Sequence, residues 1–187
     1  IADVGLSSTP AMYMSTIFQK YNYDGAIMLT ASHLPYNRNG MKFFIKSGGL
    51  EKNDISDILS RAEVIDFIDN QKIENVSGIN LMQSYSDHLI NFIIKKTGSS
   101  KPLKGLKIIV DAGNGAGGFF VKKVLEPLGA DTKGSQFLEP NGMFPNHIPD
   151  PENKIAIESI SKAVKNNKAD LGIIFDTDVD RAGAVDS

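Results

Sequence analysis

A short apolar run that passes directly into three alternating aspartates constrains this chain more than any other feature. Residues 171–175 are apolar apart from one glycine, which is typical of a buried strand. Asp176, Asp178 and Asp180 follow at every second position, and Arg181 comes next. Carboxylates this close repel one another unless a cation lies among them, and hard oxygen ligands favour Mg²⁺ or Ca²⁺ over Zn²⁺. Because arginine binds phosphate through paired hydrogen bonds, the segment predicts a metal and a phosphate handled together.

Two other interpretations of this segment compete with a site that handles metal and phosphate together. The first is an acidic surface turn after a strand, since short motifs carry a real false-positive rate. The second is an EF-hand, which requires glycine at loop position six and glutamate at position twelve. Counted from Asp176, those positions hold Arg181 and Ser187, so the EF-hand is excluded.

Composition narrows the class of protein. The 187 residues are 41% apolar, which is enough for a proper core, and the formal net charge is −2. That charge gives no electrostatic reason to expect nucleic acid or an anionic membrane as partner. The chain has no run long enough to span a membrane and no cysteine, which excludes disulfide scaffolds and thiolate metal sites.

Apolar periodicity and turn residues predict helices that alternate with strands. Thr9 is expected to cap the first helix, with Pro10 at its first position, and Gly48-Gly49 to break the second strand. The predicted strands are 26–30, 41–45, 107–110 and 171–175, and the predicted helices are 11–21, 53–64, 81–95, 119–128 and 152–165.

This alternation is typical of an α/β fold whose mixed or parallel sheets are covered by helices. Residues 66–79 are polar and lack clear periodicity, so we place a boundary near residue 80. The prediction is two consecutive domains, 1–79 and 80–187, of which the first is incomplete and the second is truncated at its C-terminal end.

A second candidate site follows the strand 26–30. Ser32 lies just past the strand end, His33 is adjacent, and Lys42 returns on the next strand. A hydroxyl, a possible base and a cation suit group transfer through a covalent intermediate. On its own this pattern is weak, because a Ser-His pair in a turn more often caps the backbone or faces solvent.

Together the two motifs resemble those of the α-D-phosphohexomutases, the family of phosphoglucomutase, phosphomannomutase and phosphoglucosamine mutase. That family's serine loop reads Thr-Ala-Ser-His-Asn-Pro followed by Asn-Gly-x-Lys, and its metal loop reads Asp-Gly-Asp-x-Asp-Arg. The matching residues are Ser32, His33, Pro35, Asn39, Gly40, Lys42, Asp176, Asp178, Asp180 and Arg181. Segments 5–10, 111–115 and 144–152 also resemble family loops, in order, so the resemblance covers almost the whole chain.

The chain departs from the family pattern at two positions. Leu34 stands where the family has asparagine, which removes a polar group from the serine loop. Thr177 stands where the family has glycine, so its backbone must suit a β-branched residue. Neither departure removes a proposed ligand or nucleophile.

The resemblance implies a phosphoserine enzyme that interconverts hexose 1-phosphate and hexose 6-phosphate. Phosphorylated Ser32 would donate its phosphoryl group, a hexose 1,6-bisphosphate would form and turn around, and its other phosphate would restore phosphoserine. One Mg²⁺ would be bound by the phosphoryl group on Ser32 and by Asp176, Asp178 and Asp180.

The resemblance also implies roles for the neighbouring side chains. Arg181 would contact phosphate or a catalytic neighbour, and Lys42 would stabilise charge or assist proton transfer. His33 is either a base or an organiser of the serine loop. On residue type alone, Asn114 and the glycines of 113–118 could cradle phosphate but are interpreted mainly as turn-forming. His147, in a proline-rich loop, is interpreted as making a loop-fastening hydrogen bond.

Two other functional hypotheses remain open. A haloacid-dehalogenase-type phosphotransferase would use Asp176 as nucleophile and Asp178 as acid/base, but it needs a downstream lysine and further acids, and only six residues follow Arg181. Alternatively, the chain is an incomplete fragment or non-enzymatic relative that only binds metal. We expect the isolated 187 residues to show little or no mutase activity.

The expected partner is therefore a small hexose phosphate, with no nucleic acid and no membrane. We expect a cytoplasmic location, with an organelle left open because a targeting segment would precede Ile1. The sequence does not indicate which hexose phosphate is used or the oligomeric state.

Overall fold

Three sheets organise the described part of the chain, residues 1–65 and 75–186 of a computed structural model. The strands are β1 (Ala2–Asp3), β2 (Ala26–Leu29), β3 (Met41–Ile45), β4 (Gly48–Gly49), β5 (Ser77–Gly78), β6 (Ile108–Asp111), β7 (Leu171–Phe175) and β8 (Ala182–Asp186). The α-helices are α1 (Thr9–Met14), α2 (Lys52–Val64), α3 (Leu81–Thr97) and α4 (Lys154–Asn167). Most of the predicted polar stretch 66–79, and the final residue, lie outside the described residues.

Sheet topology confirms the predicted α/β fold with mixed sheets. β1 pairs with β5 in parallel, whereas β2, β3 and β4 form an antiparallel sheet in chain order. In the third sheet β7 lies between β6, which is parallel to it, and β8, which is antiparallel. The parallel pair needs a long crossover, and α4 lies within that crossover.

The core of the second half is built on both faces of β6. Ile109 packs with Ile160 and Val164 of α4 on one face. Ile108 and Val110 point the other way and pack with the segment 121–125. Because successive strand residues face opposite sides, the apolar run 108–110 must be covered by helical segments on both faces.

Helix α3 contacts both halves of the chain. Its first residue, Leu81, is fully buried and packs with Ala11 and Met12 of α1. Its body lies against the segment 121–125. The domain boundary near residue 80 therefore stays a prediction, because α3 packs against elements on both sides of it.

The first helix differs from its prediction at both ends. Ser8, not Thr9, is the N-cap, and its side chain accepts a hydrogen bond from the Ala11 backbone. The helix ends at Met14 rather than at residue 21. The next two hydroxyl side chains, Ser15 and Thr16, bond back to carbonyls of the preceding turn, which competes with continuation of the helix.

Two further expectations need correction. The predicted helix 119–128 contains a π-helical turn over Val121–Leu125, preceded by a 3₁₀ turn over Ala116–Gly118. The backbone at Gly118 lies so close to the Leu138 carbonyl that no side chain would fit there. The chain can therefore form the tight 3₁₀ turn just before the π-helical turn. Gly48-Gly49 does not simply end β3, because it forms β4 and pairs with it. The other predicted elements are present with ends shifted by at most two residues.

Among the helices of the described residues, none is both long and apolar enough to cross a membrane.

Removing a core side chain from α4 should destabilise the protein far more than removing an exposed one. We expect Ile160→Ala to lower the free energy of unfolding by about 2–5 kcal/mol, because Ile160 is fully buried between α4 and the sheet. Ile155→Ala on the same helix is the control, since Ile155 is 66% exposed. Urea unfolding measures both, and equal losses for the two variants would contradict the packing described.

Candidate active site

The loop between β2 and β3 presents Ser32 in a fixed backbone conformation. The Thr30 backbone N–H donates to the Gly40 carbonyl at 3.0 Å, which closes the loop at its base. Ser32 has a left-handed φ of 53°, and its N–H donates to Thr30 Oγ1 at 3.0 Å. A left-handed residue reverses the chain sharply, and here its side chain reaches toward the turn after β7: Ser32 Oγ lies 3.5 Å from Asp176 Oδ2.

The turn between β7 and β8 gathers the three aspartates. Asp176 directly follows β7, and its Oδ1 accepts the Arg181 N–H at 3.1 Å. One carboxylate oxygen each from Asp176, Asp178 and Asp180 lies within 4.8 Å of the others. Val179 has φ 65°, which is unusual for a β-branched residue and marks backbone strain at the centre of the turn.

Asp178 connects this turn to the first half of the chain. Its carboxylate is almost fully buried, and Oδ2 accepts the Thr9 hydroxyl at 2.6 Å and the Lys42 ammonium at 2.7 Å. Its backbone carbonyl accepts the Thr9 N–H at 2.8 Å. The other oxygen, Oδ1, is buried and has no hydrogen-bond donor among the described residues. A buried carboxylate oxygen needs a donor or a cation, so this donor set fits a hard metal ion.

Lys42 is held against the aspartates. Its Nζ lies 2.7 Å from Asp178 and 2.6 Å from Asp180. Burial alone would lower the pKa of Lys42, but hydrogen bonds to the two carboxylates outweigh it, so the pKa is raised. Lys42 is therefore held as a cation between these two carboxylates, and its catalytic role stays a prediction.

The three carboxylates have different environments. Burial raises the pKa of Asp176 to about 6, opposed by the Arg181 backbone N–H and reinforced by the charges of Asp178 and Asp180. For Asp178 burial also acts upward, but hydrogen bonds from Lys42 and Thr9 outweigh it, so its pKa is lowered. A cation among these groups would favour the charged form of each.

Arg181 joins the aspartate turn to the serine loop. Its Nε lies 3.2 Å from Asp176 Oδ2, and its Nη2 lies 3.3 Å from Ser32 Oγ and 2.8 Å from His33 Nδ1. Arginine can only donate, so His33 Nδ1 must be the acceptor in this contact. An occupied Nδ1 favours the organiser role for His33 over that of a base acting through this nitrogen.

His147 fastens the loop after residue 144 to β6. Its Nε2 lies 3.0 Å from Asp111 Oδ2, its Nδ1 lies 2.9 Å from the Ile148 carbonyl, and both side chains are buried. Burial acts to lower the pKa of His147, but the bonds to Asp111 and Ile148 and the charge of Asp111 outweigh it and raise the pKa. Asn114 has a left-handed φ of 60° and its amide bonds the Glu139 carbonyl, as expected of a turn residue.

The two departures from the resembled family pattern line one cavity. Leu34, from the serine loop, and Thr177, from the aspartate turn, both contact a cavity of about 520 Å³ between that loop and residues 140–144. Thr177 does not have positive φ, so its backbone suits a β-branched side chain, as expected. Arg38 and Asn39 line the same cavity.

The structure thus brings the predicted site residues together from both halves of the chain, and their catalytic roles stay predictions. The sequence-based prediction missed two residues that hold the site. Thr9 was assigned to a helix cap, yet its hydroxyl binds Asp178. Asp150 was part of a resembled loop with no assigned role, yet its Oδ1 lies 3.2 Å from Arg181 Nη1. Only the isolated acidic position between two prolines could have drawn attention to Asp150.

Comparison with known proteins was made on sequence and on structure. The family described as phosphoglucomutase/phosphomannomutase, alpha/beta/alpha domain I, matches residues 1–69, and domain II of the same family matches residues 83–187. A phosphoglucomutase of Neisseria meningitidis is 32% identical over 185 residues, and a phosphomannomutase/phosphoglucomutase of Pseudomonas putida is 35% identical over 185.

These matches cover nearly all of the chain but a minor part of each relative. The alignments include 99% of this chain and 38% and 37% of the two relatives. A crystal structure of a phosphoglucomutase/phosphomannomutase family protein from Burkholderia thailandensis superposes with a TM-score of 0.80 at 28% identity, over 99% of this chain and 40% of that one. The chain therefore spans about two-fifths of the length of these relatives.

The His147–Asp111 pair should contribute pH-dependent stability. The pKa of His147 is raised in the folded state, so its contribution is fully present below the ordinary value of 6.5 and is lost as pH rises through the folded-state pKa. We expect His147→Gln to lower the free energy of unfolding by about 1–3 kcal/mol at acidic pH and by less at alkaline pH.

Urea unfolding of wild type and variant on both sides of pH 6.5 checks this expectation. His88→Gln is the control, because His88 is exposed on α3, where its ring centroid lies 5.3 Å from that of Phe18. A His147→Gln deficit that stays constant or grows with pH would refute the ion pair.

Proposed function

The chain belongs to the phosphoglucomutase/phosphomannomutase family, and we propose that it supplies the phosphoserine and metal loops of a Mg²⁺-dependent phosphohexomutase. The observation that carries this proposal is the meeting of Ser32 with Asp176 and Arg181, which are more than a hundred positions away in the sequence. The proposed reaction interconverts hexose 1-phosphate and hexose 6-phosphate. The names of the relatives indicate glucose or mannose phosphates as candidate substrates.

Ser32 is the proposed phosphoryl carrier. The free hydroxyl oxygen of the hexose phosphate attacks the phosphorus on Ser32, and the bond between phosphorus and Ser32 Oγ breaks. The hydroxyl proton ends on Ser32 Oγ, so the step consumes no proton and yields a hexose 1,6-bisphosphate. The reverse transfer from the other phosphate of the reoriented bisphosphate restores phosphoserine.

Asp176, Asp178 and Asp180 are the proposed protein ligands of Mg²⁺, together with a phosphoryl oxygen on Ser32. The buried Oδ1 of Asp178, which has no hydrogen-bond partner in the described part of the chain, supports this assignment, because a cation would satisfy it. When bound, the ion would act as a Lewis acid that offsets charge on the transferring phosphoryl group.

Arg181 and Lys42 supply the remaining positive charge. Arg181 Nη2 faces Ser32 Oγ, so it can donate hydrogen bonds to a phosphoryl group there. Lys42 forms ion pairs with two of the carboxylates, Asp178 and Asp180, and so limits their mutual repulsion. Preorganised charges of this kind usually account for most of the catalysis in phosphoryl transfer.

A second candidate, an aspartyl-phosphate enzyme that uses Asp176, is less well supported. Asp176 is fully buried, and its two oxygens already accept hydrogen bonds from the Arg181 backbone and side chain. A nucleophilic oxygen must be accessible to the substrate, and the burial of Asp176 works against that. Ser32, by contrast, lies on a partly exposed loop beside a cavity.

Phosphate should be found on Ser32. We expect the longest natural polypeptide containing this chain to take up hydroxylamine-resistant phosphate on Ser32 when incubated with glucose 1,6-bisphosphate and Mg²⁺, as read by phosphopeptide mass spectrometry. Ser32→Ala should abolish both this phosphate and mutase turnover, because it removes the phosphoryl acceptor. Ser56→Ala, at an exposed position on α2, is the matched control. Hydroxylamine-labile phosphate on Asp176 would instead support the aspartyl-phosphate reaction.

Mg²⁺ affinity should depend on the aspartate turn. We expect Asp180→Asn to weaken Mg²⁺ binding about tenfold or more in isothermal titration calorimetry, since it removes one of three clustered carboxylates. Asp186→Asn makes the same change of charge at an exposed position at the far end of β8 and should leave the affinity nearly unchanged. Equal affinities in the two variants would rule out this turn as the metal site.

A further inference from the structure

The guanidinium of Arg181 is held on three sides by three different loops. Its Nε faces Asp176 at 3.2 Å, its Nη1 faces Asp150 at 3.2 Å, and its Nη2 faces Ser32 at 3.3 Å. Because the guanidinium is a rigid plane with fixed donor directions, contacts at Nε and Nη1 determine where Nη2 points. The carboxylate of Asp150 is therefore coupled geometrically to the environment of the serine hydroxyl.

Asp150 is itself firmly fixed. Its Oδ1 accepts the Glu152 N–H at 3.0 Å, and its side chain is only 18% exposed. Its backbone N–H donates to the Ile148 carbonyl at 2.9 Å, and its carbonyl accepts the N–H of Asn153, the N-cap of α4. The loop is also bound to β6 through His147 and Asp111. Asp150 thus links Arg181 to a loop that is itself fixed to the core of the second half.

Without Asp150, the remaining anionic neighbours of Arg181 in the described structure would be two of the proposed metal ligands. Asp176 lies 3.2 Å from Nε, and Asp180 lies 4.0 Å from it. A cation attracted only by these carboxylates would turn toward them and away from the serine loop. It would also compete with a metal ion for the same oxygens.

We propose that Asp150 is a positioning residue of the phosphoryl-transfer site, which holds Arg181 Nη1 so that Nη2 faces Ser32. The proposal rests on the phosphoserine reaction put forward above. Asp150 acts through Arg181 and touches neither Ser32 nor the clustered aspartates in the contacts of the described residues. Its loss should therefore slow phosphoryl transfer with little change in the KM for the bisphosphate.

The kinetic test is single-turnover transfer of phosphate from glucose 1,6-bisphosphate to Ser32 in the longest natural polypeptide. We expect Asp150→Ala to lower the maximal transfer rate roughly ten- to a hundredfold, the size of effect that small misplacements produce. Asp150→Asn should lie between wild type and Asp150→Ala, because its amide oxygen can still accept from Arg181 and Glu152 without the charge. This variant also preserves the loop bonds on which folding depends.

Asp131→Asn is the matched control for the change from carboxylate to amide. Its Oδ1 accepts the Lys133 N–H at 3.0 Å, the same local bond that Asp150 makes to Glu152, but at an exposed position away from Arg181. We expect Asp131→Asn to transfer phosphate at the wild-type rate. Equal rates for Asp150→Ala and Asp131→Asn would overturn the positioning role, as would a loss confined to KM.

A spectroscopic measurement separates this proposal from the proposed function. The ¹⁵N–¹H signals of the Arg181 side chain should show slow exchange between its two Nη groups in wild type and faster exchange in Asp150→Ala, because one anchoring bond is gone. If wild-type Ser32 takes up no phosphate, the proposed mutase function is wrong. In that case these spectra alone test whether Asp150 holds Arg181. Unchanged Arg181 signals in Asp150→Ala would then overturn the proposal.

Discussion

The buried carboxylate of Asp178 is the point on which the geometry of the candidate site depends. It lies in the second half of the chain, yet both donors to its Oδ2, Thr9 and Lys42, come from the first half. Burying a carboxylate costs several kcal/mol unless it is paired and hydrogen-bonded, so the aspartate turn is stable only when the two halves are in contact. Among the residues that the structure describes, the buried Oδ1 of Asp178 has no donor. One side chain therefore both joins the halves and offers an oxygen to a cation.

The balance of charge at this joint supports the proposed phosphoryl transfer. Three clustered aspartates face two cations, Lys42 and Arg181, so with all the carboxylates ionised the cluster keeps one excess negative charge. A phosphoryl group on Ser32 would add about two more at neutral pH. A divalent cation is the simplest way to make that assembly stable, and a hard ion suits ligands that are all oxygen. The charge count therefore supports the divalent cation of the proposed phosphoserine site.

Local patterns predicted the elements that carry the site, and tertiary contacts decided the rest. The strand β7 and the aspartates behind it follow from an apolar run that passes into alternating carboxylates, which is local information. Thr9 shows the limit, because a Thr-Pro pair is a good helix start by local rules. In the structure Ser8 is the N-cap, and the Thr9 hydroxyl donates a hydrogen bond to Asp178 instead. Asp150 could not have been assigned in the same way, since its contact with Arg181 spans two loops with no shared periodicity.

The backbone of the aspartate turn shows why Thr177 is compatible with the site although the family pattern has glycine there. The left-handed residue of the turn is Val179, not Thr177, so glycine is not needed at position 177 for its φ. The backbone at Thr177 does approach another loop closely, but there the neighbouring residue is the glycine. A Cβ atom at Gly115 would lie 2.5 Å from the Thr177 carbonyl oxygen. The strain at Val179 costs on the order of 1–3 kcal/mol and persists only where the surroundings over-determine it. Here they do, because Asp178 is fixed by Thr9 of α1 and Arg181 is fixed by Asp150.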